Sequence, residues 1–250
     1  MLIHSFLLVG QSNMAGRGFA SEVAPIPNDN ILVLRNGRWW PMYVPVNPDR
    51  VTAGISLAES FAYRYAQEHP GIKVGLIPCA DGGTCLDQWM PGELLFDHAV
   101  MMARLAQRNS CIKGILWHQG ESDCEEQCYP YYEEKCTRIL QAMRKELDLE
   151  DMPLLLGGLG DYLQDNESPC FENYVHVNRA LEQMAEKLPN AGFVSAVGLD
   201  SNADKLHFNS KSLREFGLRY YEAYKKLAKA ETGAIEAPSV QLHITEMEKL

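Results

Sequence analysis

Apolar runs alternate with amphipathic segments along most of the 250-residue chain. The apolar runs are short and several end at Gly or Pro, which is typical of strands buried on both faces of a sheet. They cover residues 2–9, 73–77, 111–117, 153–156 and 192–197. Segments with apolar residues at helical spacing cover residues 56–68, 94–108, 133–147, 171–188 and 210–229. This β-α order predicts a parallel sheet with helices on both faces, a three-layer α/β/α sandwich.

Two local patterns add detail to this prediction. Ser56 and Glu59 have the spacing of a capping box at the start of the segment 56–68. Residues 31–34 and 39–43 flank a turn with an Asn-Gly pair, which predicts a β-hairpin inserted into the first β-α repeat.

The pattern predicts one domain over residues 1–232 and a different tail over residues 233–250. In the tail, Val240, Leu242 and Ile244 alternate with polar residues, as they do in an edge strand. Two interpretations stay open. The tail is either an edge strand of the same domain or a contact that joins copies of the chain into a homo-oligomer.

Composition and charge narrow the classes of partner. A hydrophobic fraction of 46% and a charged fraction of 22% are ordinary for a folded globular chain. A formal net charge of −10 argues against nucleic acid and anionic membranes as partners, because both require a basic surface. No apolar run is long enough to span a membrane. The run at 2–9 lacks a basic region before it and a cleavage site after it, so no signal peptide is expected.

The seven cysteines are odd in number and irregularly spaced, which predicts reduced thiols and a cytoplasmic location. Cys124 and Cys128 lie near His118 and suggest a metal site, but no second pair with zinc-type spacing completes it. We therefore expect no metal and no other cofactor.

Small, polar and titratable residues follow four of the predicted strands. In an open parallel sheet, ligands bind outside the carboxyl ends of the strands. The segments that reach this edge are residues 10–18, 79–84, 117–123 and 204–209. The sequence therefore predicts a polar site that is assembled from all four.

Ser12 is the candidate nucleophile, because it stands where the first strand turns into a helix. In that place its hydroxyl and its backbone N–H can face one ligand. The surrounding sequence is not a Gly-x-Ser-x-Gly elbow, since Met14 occupies the final Gly position. The alternative is that Ser12 only caps the helix.

His207 is the candidate general base, with Asp204 three residues earlier as the carboxylate that orients it. A serine hydroxyl needs such a base, and the base needs a carboxylate to fix its tautomer. Asp200 is a rival carboxylate and His118 a rival base. The alternative is that His207 caps the following helix or is an exposed loop residue.

An acyl-transfer site also needs hydrogen-bond donors for an oxyanion. The candidates are the backbone N–H of Ser12, a backbone N–H at Gly82 or Gly83, and the side-chain amide of Gln119. The alternatives are that the two glycines form a simple turn and that Gln119 is a polar loop residue.

Taken together, the four segments resemble a known family. They read GQSNMAGRG, CADGGTCLDQW, WHQGESD and DKLHFN in chain order. This combination resembles the sialate O-acetylesterase and acetylxylan esterase group of the SGNH hydrolases, carbohydrate esterase family six. The resemblance extends over residues 7–209.

The resemblance implies a flavodoxin-like sheet of five parallel strands in the order 2-1-3-4-5. It also implies a metal-free serine esterase that removes O-acetyl groups from xylo-oligosaccharides, other sugars or sialic acid. By position, Ser12 matches the nucleophile, His207 the base and Asp204 its carboxylate. Gly83 matches one oxyanion donor, and Gln119 stands where the wider superfamily has Asn.

Seven further residues are expected either to touch the substrate or to support the site: Gln11, Asn13, Arg17, Gly82, His118, Glu121 and Trp89. We expect Glu121 to support neighbouring groups, since a carboxylate facing an oxyanion opposes catalysis. Trp89 and the Trp39–Trp40 pair have the rings that stack on sugars, with core packing as the alternative. The alternative function is a carbohydrate-binding protein that uses the esterase scaffold without catalysis.

Overall fold

The computed structural model describes residues 2–27 and 29–231, so the interpretation of the tail at 233–250 lies outside the described residues. A seven-stranded sheet runs through the described part in the order β3-β2-β4-β1-β5-β6-β7. The strands are β1 (Ile3–Gly10), β2 (Ile31–Arg35), β3 (Arg38–Pro41), β4 (Lys73–Pro78), β5 (Cys111–His118), β6 (Leu154–Gly157) and β7 (Ala191–Val194).

The five predicted strands correspond to β1, β4, β5, β6 and β7. They stand in the order β4-β1-β5-β6-β7 and pair in parallel, which is the predicted order 2-1-3-4-5. The fold class is confirmed, but the strand number is corrected from five to seven.

The two extra strands are the predicted hairpin. It does not stand apart as an insertion, because β2 pairs in parallel with β4 and extends the main sheet. The reason is burial: Ile31, Val33 and Leu34 are almost completely buried, whereas β3 lies at the edge and is largely exposed. Asn36 and Gly37 have φ values of 49° and 71°, as a two-residue hairpin turn requires.

Helices cover both faces of this sheet. On one face α2 packs against α6, and on the other α3, α4 and α5 lie side by side. The helices are α1 (Ser12–Ala15), α2 (Leu57–Glu68), α3 (Leu94–Gln107), α4 (Tyr132–Glu146), α5 (Tyr174–Lys187) and α6 (Ser210–Glu231). Among the described residues, no helix is both long and apolar enough to cross a membrane.

One helix boundary differs from the prediction. The segment 171–188 was expected to be helical throughout, but α5 begins only at Tyr174. Residues Pro169–Asn173 form a separate 3-10 helix with Pro at its first position. This short helix brings Cys170 and Phe171 to the polar edge of the sheet.

The capping box of α2 is present as predicted. The Ser56 N–H donates to Glu59 Oε1 at 3.0 Å, and Ser56 Oγ accepts from the Ala58 N–H at 3.3 Å. Glu59 is fully buried and forms an ion pair of 2.5 Å with Arg214 of α6. The start of α2 therefore also fixes α6, the helix that follows the candidate histidine.

Replacing Ser56 with Ala is expected to lower the free energy of unfolding by about 1 kcal/mol, because N–H groups at the helix start lose their acceptor. Urea unfolding measures this change. Ser60→Ala in the same helix is the matched control, since the Ser60 hydroxyl donates only to the Leu57 carbonyl. A loss of stability in Ser60→Ala that equals that of Ser56→Ala would contradict the capping role.

Candidate active site

The site begins where β1 and β5 end against each other. A Cβ atom on Gly10 would lie 2.0 Å from the His118 carbonyl oxygen, and the φ of Gly10 is 129°, so only glycine fits. The next backbone N–H, that of Gln11, donates to the same carbonyl at 2.9 Å. The chain then enters α1 with Ser12 as its first residue.

Ser12, His207 and Asp204 form a hydrogen-bonded chain. His207 Nε2 lies 3.0 Å from Ser12 Oγ, and His207 Nδ1 lies 2.7 Å from Asp204 Oδ2. The second carboxylate oxygen of Asp204 accepts the backbone N–H groups of Leu206 and His207, both at 3.0 Å. These contacts orient the imidazole in the way that a serine nucleophile requires.

The helix-cap alternatives for Ser12 and His207, and the rival carboxylate Asp200, do not hold. Gln11 occupies the N-cap position of α1, so Ser12 is not its cap. At the start of α6, Asn209 Oδ1 accepts the Ser212 N–H at 2.9 Å, so His207 does not cap that helix. The carboxylate on the imidazole is that of Asp204 and not that of Asp200.

Asp204 is set to be ionised at neutral pH. Burial alone would raise the pKa of its carboxyl group, but the His207 backbone N–H, the His207 ring and the Leu206 N–H together hold this pKa below its ordinary value. The carboxylate therefore stays charged and can stabilise a protonated imidazole.

A pocket of about 330 Å³ opens beside the Ser12 hydroxyl and the His207 ring. Its remaining lining includes Gln11, Arg17, Gly83, Ser122, Glu125 and Phe171. The polar side comes from the ends of β1, β4 and β5, and the apolar side from the 3-10 helix Pro169–Asn173.

The two candidate glycines differ in their backbone donors. The Gly82 N–H donates to Asp49 Oδ2 at 2.8 Å and is occupied. In the described part of the chain, the backbone N–H groups of Gly83 and Ser12 have no acceptor. The free pair of donors at the pocket therefore belongs to Ser12 and Gly83, and the preference for Gly83 over Gly82 agrees with this geometry.

Gln119 does not present its amide to the pocket. Its Nε2 donates to the Thr84 carbonyl at 3.1 Å and to Asp123 Oδ2 at 2.5 Å. The residue is fully buried and does not line the pocket. The expectation that Gln119 donates to an oxyanion is therefore wrong for this arrangement, because both amide hydrogens are already in use.

A buried polar network holds in place the histidine loop, residues 204–209, which carries Asp204 and His207. Asn13 Nδ2 donates to Glu121 Oε1 at 2.5 Å and to the Leu206 carbonyl at 3.2 Å, and Asn13 Oδ1 accepts the Phe208 N–H at 3.1 Å. Asn13 thus binds the backbone on both sides of His207. The expected supporting roles of Asn13 and Glu121 agree with these contacts.

His118 lies inside this network and not at the pocket. It is fully buried, with Nδ1 3.2 Å from the Gly157 carbonyl and Nε2 3.5 Å from Glu121 Oε1. Burial alone would raise the pKa of Glu121, but His118 and Asn13 hold this pKa below its ordinary value. Of the two expected roles, a substrate contact by His118 is therefore wrong, whereas a supporting role agrees with its contact to Glu121. His118 is also not a rival base for Ser12.

Arg17 lines the pocket but its charge is neutralised. Its guanidinium group forms a bidentate salt bridge with the Asp49 carboxylate, with N–O distances of 3.0 and 2.7 Å, and both side chains are buried. Since Asp49 also accepts the Gly82 N–H, this ion pair fixes the loop that carries Gly82 and Gly83.

The tryptophans belong to the body of the fold. Trp89 is fully buried, donates to Thr84 Oγ1 at 3.0 Å and packs edge-on against Trp117. Trp39 donates to Asn109, and neither Trp39 nor Trp40 lines the pocket. Of the two interpretations, core packing holds for Trp89.

The cysteines are unpaired, and no cluster of three or more His, Cys, Asp or Glu side chains suited to a metal occurs within residues 2–27 and 29–231. Cys124 is buried and donates its thiol to the Gly120 carbonyl, and burial raises its pKa. The cytoplasmic location expected from these residues stays a prediction.

Residues 3–226 match the family model described as carbohydrate esterase, sialic acid-specific acetylesterase. The chain belongs to this family. It is 30% identical over 246 residues to a probable carbohydrate esterase of Arabidopsis thaliana, covering 88% of this chain and 89% of that protein. The family resemblance predicted from the four motifs is confirmed. The activity that this family supports is the hydrolysis of carbohydrate esters.

Solved structures agree on the fold. The crystal structure of the Arabidopsis thaliana protein superposes with a TM-score of 0.78 at 27% identity, covering 89% of this chain and 98% of that one. The NanS structure gives a TM-score of 0.76 at 17% identity, covering 92% and 98%. A carbohydrate acetylesterase from Xanthomonas citri gives 0.67 at 19% identity, covering 92% of this chain and 57% of that one.

Removing the Asn13 side chain tests the network. Asn13→Ala is expected to lower the free energy of unfolding by about 2–4 kcal/mol, because the buried Glu121 carboxylate loses a hydrogen bond. It should also lower kcat for 4-nitrophenyl acetate by about 10- to 100-fold, because His207 is no longer held in place.

The matched control is Asn178→Ala. Asn178 makes a similar pair of hydrogen bonds to the Leu159 backbone, but it does not contact the histidine loop. This variant should lose stability and keep kcat. Equal losses of kcat in both variants would show that Asn13 acts through general stability and not through His207.

Proposed function

We propose that the protein is a serine esterase that releases acetate from O-acetylated carbohydrates through an acetyl-serine intermediate. The observation that carries this proposal is the position of His207, whose two ring nitrogens contact Ser12 Oγ and Asp204. A base that is already hydrogen-bonded to both partners needs no rearrangement before proton transfer.

In the first half-reaction, Ser12 Oγ forms a bond to the acetyl carbonyl carbon while His207 Nε2 takes the hydroxyl proton. The carbonyl π electrons move onto the oxygen, and the Ser12 and Gly83 N–H groups donate to the resulting oxyanion. When the C=O bond reforms, the ester C–O bond breaks and the sugar oxygen leaves with the proton from His207.

In the second half-reaction, water replaces the sugar. His207 removes a proton from the water as its oxygen bonds to the acetyl carbon. Collapse of the second oxyanion breaks the bond to Ser12 Oγ, which takes its proton back from His207. Asp204 stays ionised throughout and stabilises the imidazolium form.

The charge at the pocket favours a neutral sugar ester. A sialic acid carries a carboxylate, which requires an available cation. Among the described lining residues, Arg17 is paired with Asp49, while the exposed Glu125 has no ion pair. On the neighbouring loop Arg50 is paired with Asp81 at 2.6 Å, and Lys205 does not line the pocket. An anionic substrate therefore meets net negative charge.

The competing function is carbohydrate binding without catalysis. Carbohydrate binding alone does not require a serine hydroxyl hydrogen-bonded to an oriented imidazole. The contacts of Ser12, His207 and Asp204 therefore support catalysis and not this alternative. The participation of the tail in a homo-oligomer stays a prediction, because the tail lies outside the described residues.

Ser12→Ala is expected to reduce acetate release by about four orders of magnitude or more, since the nucleophile is removed. A fluorophosphonate probe should label the wild-type chain at Ser12 and leave the variant unlabelled. Asp204→Asn should fold and bind the sugar but lose about 10⁴-fold in kcat. Wild-type acetate release by Ser12→Ala, or sugar binding without any labelling of Ser12, would favour the binding protein.

A neutral acetylated xylo-oligosaccharide or monosaccharide is expected to exceed 9-O-acetylated sialic acid in kcat/KM by about 10-fold or more. Glu125→Lys should raise kcat/KM for the sialic acid by about three- to ten-fold at low salt, with the gain shrinking as salt is added.

Glu150→Lys is the control for this charge test. It makes the same change of charge on an exposed residue before β6, at the opposite edge of the sheet. It should have no such effect. A preference of the wild-type enzyme for the sialic acid would overturn the charge argument while leaving the esterase proposal intact.

A further inference from the structure

The sequence motifs suggest Gln119, and not Gln11, as the side-chain donor to an oxyanion. The hydrogen bonds of the two side chains indicate the reverse. Gln119 has used both hydrogens of its amide, on the Thr84 carbonyl and on Asp123. The side-chain atom left without a partner is Oε1, which is buried. An oxygen is an acceptor, and an acceptor cannot stabilise a developing negative charge.

Gln11 shows the reverse arrangement. Its Oε1 accepts the backbone N–H of Gly120 at 3.2 Å and that of Ser122 at 3.5 Å. Since only the oxygen of an amide can accept from two N–H groups, these contacts fix which end of the side chain is the nitrogen.

The nitrogen end of Gln11 is the free end of a side chain that lines the pocket. In the described part of the chain Nε2 has no acceptor, yet it is not among the buried atoms that lack a partner. The residue is only 3% exposed, and it lines the pocket next to Ser12. A side chain that is almost completely buried thus keeps one donor without a partner, in a residue that lines the pocket beside Ser12.

We propose that Gln11 is a catalytic residue whose Nε2–H donates to the oxyanion, beside the backbone N–H groups of Ser12 and Gly83. The inference rests on the serine esterase function proposed above. As Ser12 Oγ bonds to the carbonyl carbon, the π electrons move onto the carbonyl oxygen and the three donors face that charge. Gln11 gives up no proton and forms no covalent bond.

The anchoring of Gln11 makes it suitable for this task. An oxyanion donor is effective when it is already in place, because no reorganisation is then needed during the reaction. The turn at Gly120 holds the amide oxygen, and the Gln11 backbone N–H is held by the His118 carbonyl. Both ends of the residue are therefore fixed before substrate enters.

Two substitutions test the donor. Gln11→Glu keeps an acceptor for Gly120 and Ser122 but has no N–H, whereas Gln11→Met removes the donor without adding charge. Both variants are expected to lose about 100-fold in kcat for 4-nitrophenyl acetate, with KM changed by less than about three-fold. Labelling of Ser12 by a fluorophosphonate should slow in parallel, because its phosphoryl oxygen occupies the oxyanion position.

Gln119→Met provides the comparison within the same site. It is expected to lower the melting temperature, because the Thr84 carbonyl and Asp123 each lose the hydrogen bond from Gln119. It should lower kcat by less than about 10-fold. The pH dependence of kcat/KM should keep its position in Gln11→Met, because Gln11 contacts neither His207 nor Asp204.

Three results would overturn the inference: a Gln11→Met variant with wild-type kcat, a loss confined to Gln11→Glu, or a larger loss of kcat in Gln119→Met than in both Gln11 variants. These results are distinguishable from failure of the esterase proposal. In that case the wild-type chain would release no acetate and Ser12 would not be labelled, whatever residue stands at position 11.

Discussion

The contact between the ends of β1 and β5 is the constraint on which the site depends. Because Gly10 has no side chain, its backbone lies directly against the His118 carbonyl. The Gln11 N–H then bonds to that same carbonyl, so the strand end and the helix start share one anchor. Ser12 follows at once, and its position is therefore set by backbone contacts and not by a flexible loop.

His207 contacts Ser12 although the two residues are 195 positions apart in the chain. Asn13 links the two segments, since it directly follows Ser12 and its side chain binds the backbone on both sides of His207. The Glu121 carboxylate accepts a hydrogen bond from Asn13 Nδ2, and this orients Asn13 Oδ1 toward the Phe208 N–H. A buried carboxylate is costly unless it is paired, and His118 supplies the second contact.

Much of this arrangement could be predicted from the sequence. The short apolar runs predicted the five parallel strands β1, β4, β5, β6 and β7, because buried parallel strands have a strong pattern, and the family resemblance supplied their order. Ser12, Asp204 and His207 could be paired because the fold brings strand ends to one edge. The hairpin turn at Asn36 and Gly37 was also visible, but the pairing of β2 with β4 depends on burial that no local pattern records.

The orientation of side chains at the edge could not be predicted, and the two glutamines show why. Gln11 follows β1 and Gln119 follows β5 at the same edge of the sheet, so position alone does not separate them. They differ in their hydrogen-bond partners. The Thr84 carbonyl and Asp123 accept both amide hydrogens of Gln119. The Gly120 and Ser122 N–H groups donate to the amide oxygen of Gln11. All but one of these partners come from backbone groups, whose directions are set by turns. The chemical function of an amide is thus decided by the turn it meets and not by the motif it belongs to.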